Sequence, residues 1–395
     1  MTKQLRKGNK DLIKELNRSL VINQIRLNGP ISRTTLAKNT NLGLSTITNI
    51  VDSLISESYV NEVGAGSSNG GRKPILLKFN ENIGSVIGIK IEPKQIIMAI
   101  ADFNAKIMRK ISFDLEGNIT KKAMLSKIID KMESLLSTLD KEQKLNGIGI
   151  AISGIVNPSK KILDYSPILN WKDIDFQPLE KHFNVPVLID NDANVFSLAH
   201  LWDGVGKVYN HYIGVTFGVG IGAGIVINRT LFRGNYGGAG EFGHMIIERN
   251  GKRCYCGQNG CLEMYTSDQY LIQEAADLHL ANTDVDSINI DTLYVAAENG
   301  NKDIQQLLIK QGKNLGVGLK SVINFLNPEA IILGGEGLRG MPYVKDGILQ
   351  EVENNFFSGY EKKINVHISD LGDDVWLIGA CALVLEEIFT SPIYK

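Results

Sequence analysis

From residue 83 onward this 395-residue chain alternates short apolar runs with segments of helical periodicity. SVIGIKI, QIIMAIAD, NGIGIAIS, VPVLID, HYIGVTF, GAGIVIN and PEAIILGG have strand length, and segments such as KKAMLSKIIDKMESLLSTL and IQQLLIKQGKNLGVGLKSVINFLN have helical spacing. Near-continuous apolar strands need cover on both faces, and intervening helices supply it, so the pattern predicts an α/β body. Glycine-rich turns follow several strands, as expected where a ligand approaches strand ends. The chain is too long for one ordinary core, so two or three domains are expected. Hydrophobic content of 43% and charge of 22% are those of a globular protein. No collagen, coiled-coil or solenoid repeat is present.

Residues 1–80 differ in charge. They carry 12 Lys and Arg against 5 Asp and Glu, a net of +7, while the remaining 315 carry 30 against 38, a net of −8. A basic head on an acidic body suggests a nucleic-acid module. In the head, Leu20, Val21, Ile25 and Leu27 predict a helix ended by Gly29-Pro30. Ser32 can cap a short helix that buries Leu36 and Ala37. After the turn NTNLG, a further helix carries Ile47, Ile50, Val51, Leu54 and Ile55 on one stripe. Opposite that stripe, Ser45, Thr46, Thr48 and Asn49 are short hydrogen-bonding side chains at the helix start, as in a recognition helix that meets base edges. YVNEV and KPILLKF can pair as a wing around GAGSSNGGR. Arg72 at its tip suits a narrow minor groove, and Arg33 and Lys73 suit phosphate. The plainer alternative is a three-helix protein-interaction module with a linker.

Three of the chain's four cysteines fall within eight residues. The opening MTKQLRKGNKDLIKEL is polar, with no signal core, and no run of apolar residues reaches membrane-span length. A soluble, cytoplasmic protein is therefore expected, in which clustered thiols are metal ligands rather than bridges. Cys254, Cys256 and Cys261, with His244, make a closed set suited to a structural zinc. The plainer alternative is three buried thiols. Cys381, in GACALVLEEI, reads as core filler.

Three polar clusters stand out in the body. IDNDANVF places Asp190, Asn191, Asp192 and Asn194 at a helix start, more than a cap requires. GGAGEFGHM sets Glu241 and His244 between glycines, and GCLEMY sets Glu263 two residues past the last clustered cysteine. A zinc would tie the last two loops together. Carboxylates, an amide and an imidazole converging there suit the hydroxyls of a neutral polyol.

NDAN, then GEFGH, then the Cys-x-Cys-x4-Cys loop followed by Leu-Glu, behind a winged helix-turn-helix ending in GGR, resembles the ROK family of sugar-responsive repressors and sugar kinases. The resemblance runs from about residue 17 to the end. It implies a winged helix-turn-helix over residues 1–80, then an actin-like, hexokinase-like α/β body of two subdomains, 81–190 and 191–395. The C-terminal helix would pack back on the first subdomain. The implied sugar contacts are Asn191, Asp192, Glu241, His244 and Glu263, and the implied structural zinc ligands are His244, Cys254, Cys256 and Cys261. A homodimer or tetramer on double-stranded operator DNA is implied, with a monosaccharide inducer.

ROK kinases carry a D-x-G-G-T turn for nucleotide phosphates. Here Lys90 stands at the aspartate, Glu92-Pro93 at the glycines, and Val219 at a hydroxyl position of the second turn, Gly218-Val219-Gly220. A phosphate cradle needs exposed amides, which proline lacks, and Glu92 repels phosphate. Asp192 aligns with the kinase general base, yet a base without a donor catalyses nothing. A repressor without catalytic residues is expected, with a sugar kinase as the alternative. The SNGGRKP wing and NWKDID (170–175) are similar to xylose-responsive members, making xylose the first expected inducer and glucose the second.

Overall fold

The computed structural model of the chain describes residues 8–65, 73–116, 119–139, 143–279, 288–360 and 363–389. The head opens with α1 (Lys10–Asn28), capped by Asn9, whose side chain accepts from the Leu12 amide at 2.8 Å. β1 (Ile31–Ser32) leads into α2 (Arg33–Thr40), where the Ser32 hydroxyl accepts from the Thr35 amide. α3 (Leu44–Ser56) follows, then β2 (Val60–Ala65) and β3 (Ile75–Phe79). The three strands form one sheet in the order β1-β3-β2, with Val60 opposite Phe79. This is a winged helix; its tip, including Arg72, lies outside the described residues. Ile47, Val51 and Leu54 of α3 are fully buried, as their spacing requires. In α1 the predicted helix ends before Gly29, and its apolar residues do not all face the core. Val21 and Ile25 are buried, but Leu20 and Leu27 are 40% and 59% exposed. Positions one and two residues off the buried pair rotate away from it by roughly 100° and 200°.

The body begins with the antiparallel strands β4 (Ser85–Ile91), β5 (Gln95–Ala101) and β6 (Ile107–Asp114). After α4 (Lys121–Leu136), β7 (Leu145–Ile152) pairs parallel to β4. A small sheet of β8 (Ile155–Asn157), β9 (Ile162–Ser166) and β10 (Trp171–Asp175) interrupts. Beyond α5 (Gln177–Phe183), β11 (Val187–Asn191) completes a five-stranded sheet beside β7. α6 (Asp192–Trp202) leads to β12 (Tyr212–Phe217), β13 (Ile221–Ile227) and β14 (Thr230–Phe232), again antiparallel. α7 (Asp268–Asp277), α8 (Ile290–Glu298) and α9 (Lys302–Leu326) precede β15 (Ala330–Gly334). α10 (Met341–Val352) precedes β16 (Asn365–Ile368), and α11 (Val375–Phe389) follows. The second sheet runs β14-β13-β12-β15-β16 and repeats the topology of the first, β6-β5-β4-β7-β11.

α6 and α11 lie between the sheets, in a core shared by Val195, Phe196, Ala199, Tyr212, Ile332 and Ala380. α11 approaches the first sheet closely because β4 and β7 carry glycines. A Cβ at Gly149 would stand 1.8 Å from the Ala380 carbonyl, and one at Gly88 would stand 2.8 Å from the fully buried Cys381 Sγ. The far end of α11 belongs to the head. Val384, Leu385 and Phe389 share one core with Val21, Ile25, Leu36, Val51 and Phe79. Asn23 Nδ2 donates to the Phe389 carbonyl at 2.9 Å, and the Arg26 guanidinium lies 4.3 Å from the Trp202 ring centroid. The winged helix is therefore packed into the body rather than tethered to it.

Candidate functional site

Parallel strands leave their carboxyl ends as the natural ligand edge of an α/β sheet. At the end of β11 the four polar residues of NDAN and its flank divide their work. Asn191 caps α6: its Oδ1 accepts from the Ala193 amide at 2.9 Å, and its Nδ2 donates to the Gly154 carbonyl at 3.0 Å. Asp190, 2% exposed, accepts from the Asn191 amide and Asn194 Nδ2 at 2.8 Å, and from Arg233 Nε at 2.6 Å. Asp190 is thus consumed inside the protein, as is the Asn194 amide nitrogen. Asp192 is different. Its Oδ1 accepts from the adjacent Ala193 amide at 2.9 Å, and its own backbone amide also lies against the carboxylate. Burial pushes its carboxyl up to about 6, with Lys90 opposing and Glu336 adding to the rise.

The second cluster sits on loops beyond β14. Glu241 precedes a short 3-10 turn, Phe242–His244, and Glu263 lies in another, Leu262–Tyr265. The loops are joined by the Leu262 amide donating to the Met245 carbonyl at 2.8 Å and by a bridge between Ile246 and Cys261. Glu263 is 8% exposed, and its Oε2 accepts from the Ile221 amide at 3.0 Å. Gly243 makes this approach possible, since a Cβ there would stand 3.1 Å from Glu263 Oε2. Desolvation raises the Glu241 carboxyl; His244 opposes this and Glu263 adds to it, so the three groups share one polar environment.

The cysteines come together as their spacing predicts. His244 Nδ1 is 3.6 Å from Cys254 Sγ, Cys256 Sγ is 3.6 Å from Cys261 Sγ, and all four ligand atoms lie within 4.8 Å of one another. Tetrahedral zinc with bonds of ~2.3 Å places its sulfur ligands roughly 3.8 Å apart, so the set fits such an ion with little movement. All four cysteines are free thiols. At Gly260, φ is +79° and a Cβ would stand 1.7 Å from the Glu248 carbonyl, so the loop closes only with glycine there. His244 Nδ1 faces the thiols, and Nε2 stands 3.3 Å from the Tyr255 hydroxyl.

Across from Asp192 the polar groups satisfy one another. Lys90 Nζ is 2.5 Å from Glu92 Oε1, 3.9 Å from Glu336 Oε1 and 3.4 Å from the Trp376 ring centroid. Glu336 also presses on Gly218, where a Cβ would stand 2.8 Å from its Oε2. A phosphoryl group here would meet two carboxylates and a lysine already paired. Lys90 is not a free phosphate contact.

In the head, Ser45 and Asn49 are exposed, while Thr46 and Thr48 are half-buried. The Thr48 hydroxyl donates to the Leu44 carbonyl at 2.9 Å. Lys73 is exposed. Arg33, expected at phosphate, is held by Asp52 and Glu62, each at 3.0 Å, and ties α2 to α3 and the wing. Sequence reasoning missed Arg233, Arg26 and Trp376. Each acts through a partner distant along the chain, and no local spacing marks them.

A winged helix sharing a core with a two-sheet body, which carries a polar ligand edge and a Cys3His centre, defines a ligand-responsive DNA-binding regulator. The chain belongs to the ROK family, whose profile matches residues 86–387. Xylose repressors of Caldicellulosiruptor bescii and Bacillus spizizenii are 30% and 34% identical to it. The first match spans 98% of this chain and 100% of its relative, the second 95% and 96%. A solved ROK family transcriptional regulator, a homologue of the E. coli MLC protein, superposes with a TM-score of 0.84 at 26% identity, over 97% of this chain and 98% of that one. These full-length matches include the winged helix, and the chain is a sugar-responsive transcriptional repressor of this family rather than a kinase. No helix among the described residues is long and apolar enough to cross a membrane.

Proposed function

We propose that this repressor holds a palindromic operator as a homodimer, or a tetramer built from dimers, in the cytoplasm, and releases it when xylose binds the body. Asp192 and Glu241 accept hydrogen bonds from ring hydroxyls, while His244 Nε2, Glu263 and the remaining capacity of Asn191 complete the set. A zinc held by His244, Cys254, Cys256 and Cys261 leaves no open coordination position, so its role is to fix the loops that carry Glu241 and Glu263. On DNA, Ser45, Thr46, Thr48 and Asn49 stand nearest base edges, Lys73 meets phosphate and Arg72 reaches the minor groove. Arg33 reaches phosphate only by giving up one of its two carboxylates.

The observation that carries this reading is the placement of α11. Near its start, Trp376 lies under Lys90 at the ligand edge; at its end, Phe389 packs 5.6 Å from the Phe79 ring and accepts from Asn23. A ligand that shifts one end of a rigid helix tilts the winged helix at the other, and half-site spacing then no longer matches the operator. Xylose is favoured over glucose by the names of the two full-length relatives. Thermal shift against a panel of monosaccharides tests the assignment. Xylose should raise the melting temperature in proportion to the logarithm of its concentration. A response to another sugar alone would replace xylose, and no response to any would remove the sugar site.

A further inference from the structure

Beside Asp192 stands a carboxylate that faces only the protein. The three donors on Asp190 come from two regions. Two belong to the start of α6, and the third, Arg233 Nε, comes from 43 residues along the chain. Arg233 opens the loop that ends at Glu241. That loop is pinned on itself where the Ala239 amide donates to the Arg233 carbonyl at 3.1 Å, and to β13 where the Ala223 amide donates to the Gly240 carbonyl at 3.1 Å. It also rests on the other half of the body: a Cβ at Gly237, where φ is +80°, would stand 2.9 Å from the Val156 carbonyl of β8. Glu241 follows directly after the last pin.

The geometry points to Arg233 as a positioning residue of the ligand site: its bond to Asp190 sets the loop carrying Glu241 and His244 against the start of α6, and so fixes the spacing of Glu241 from Asp192. The inference rests on the sugar-site reading above. Arginine suits the task because it stays charged and its planar head holds a carboxylate in a fixed direction. Asp190 suits it because a side chain 3% exposed has no water to exchange for its partner. Two carboxylates that must meet adjacent hydroxyls of one rigid ring tolerate little looseness in their supports.

The test uses the full-length protein and the variants Arg233→Met, Arg233→Lys and Asp190→Asn/Arg233→Met, with Asp192→Ala alongside. The double variant leaves no unpaired buried charge, so it keeps the question open if Arg233→Met alone fails to fold. Xylose affinity is read by calorimetry, and amide exchange over residues 238–242 is read without sugar. Arg233→Met and the double variant should bind xylose at least about tenfold more weakly and exchange the Ala239 amide faster, with sugar-free operator affinity within about twofold of the parent. Arg233→Lys should recover part of both. Folded variants with parental xylose affinity and parental exchange would overturn the inference. If the parent does not bind xylose, or Asp192→Ala binds it unchanged, the sugar-site reading fails instead. Amide exchange then decides Arg233 alone, unchanged exchange counting against it.

Discussion

Asp190, two residues before Asp192, and Lys90, whose charge reaches Asp192, are both buried charges. Asp190 is surrounded by donors from within the protein and faces nothing else. Lys90 is surrounded by Glu92, Glu336 and the Trp376 ring, on the side where a kinase would seat its phosphate donor. Asp192 meets backbone amides of its own helix start, and burial raises its carboxyl to about 6. Satisfied charges hold structure together; an incompletely satisfied one has capacity left for a ligand. On the proposed reading, one half of the edge can grip a neutral polyol, while paired charges occupy the half that would handle phosphate.

The largest expected effect breaks the support of the gripping half. Cys256→Ser should lower the metal content below one per chain and the melting temperature by ~5 °C or more, and it should weaken the sugar response, because the Cys254–Cys261 loop braces Glu241 and Glu263. Elemental analysis and a melting curve check this; an unchanged metal content would remove the centre. Next, Asp192→Ala should cost about 1.5–3 kcal/mol of sugar binding by calorimetry, with operator affinity kept. A smaller effect follows from pH. The ionised Asp192 accepts at both oxygens more strongly than the neutral acid, and its carboxyl is raised, not lowered. Sugar affinity should therefore be flat above about pH 7 and fall as pH drops through about 6. The smallest effect compares the two sides directly. Lys90→Met should move that midpoint upward and Glu336→Gln should move it downward, since one charge opposes the rise and the other adds to it. Identical midpoints in both variants would separate Asp192 from its neighbours.

Much of this edge was legible from spacing. The Cys-x-Cys-x4-Cys loop with His244 closes into one cluster because glycines permit the turns between the ligands. The stripe from Ile47 to Leu54 buries one face of α3, because helical period alone decides it. What was not legible needed tertiary contacts. Asp190 and Asn194 look like ligands beside Asp192 until Arg233 arrives from 43 residues away. Arg33 looks free for phosphate until the fold brings Asp52 and Glu62 to it. The matching topology of the two sheets has no counterpart in any repeated string of residues.

The central claim is that a sugar held at Asp192 releases DNA held by the winged helix and is not itself changed. The most direct measurement is fluorescence anisotropy of a labelled operator duplex bound to the full-length protein, titrated with xylose in the presence of ATP, with ADP followed in the same sample. Xylose should lower the anisotropy to that of free DNA without ADP formation, and Asp192→Ala should need roughly ten- to a hundredfold more xylose for the same release. Sugar-dependent ADP release that is lost in Asp192→Asn, or operator binding that no monosaccharide disturbs, would contradict the account.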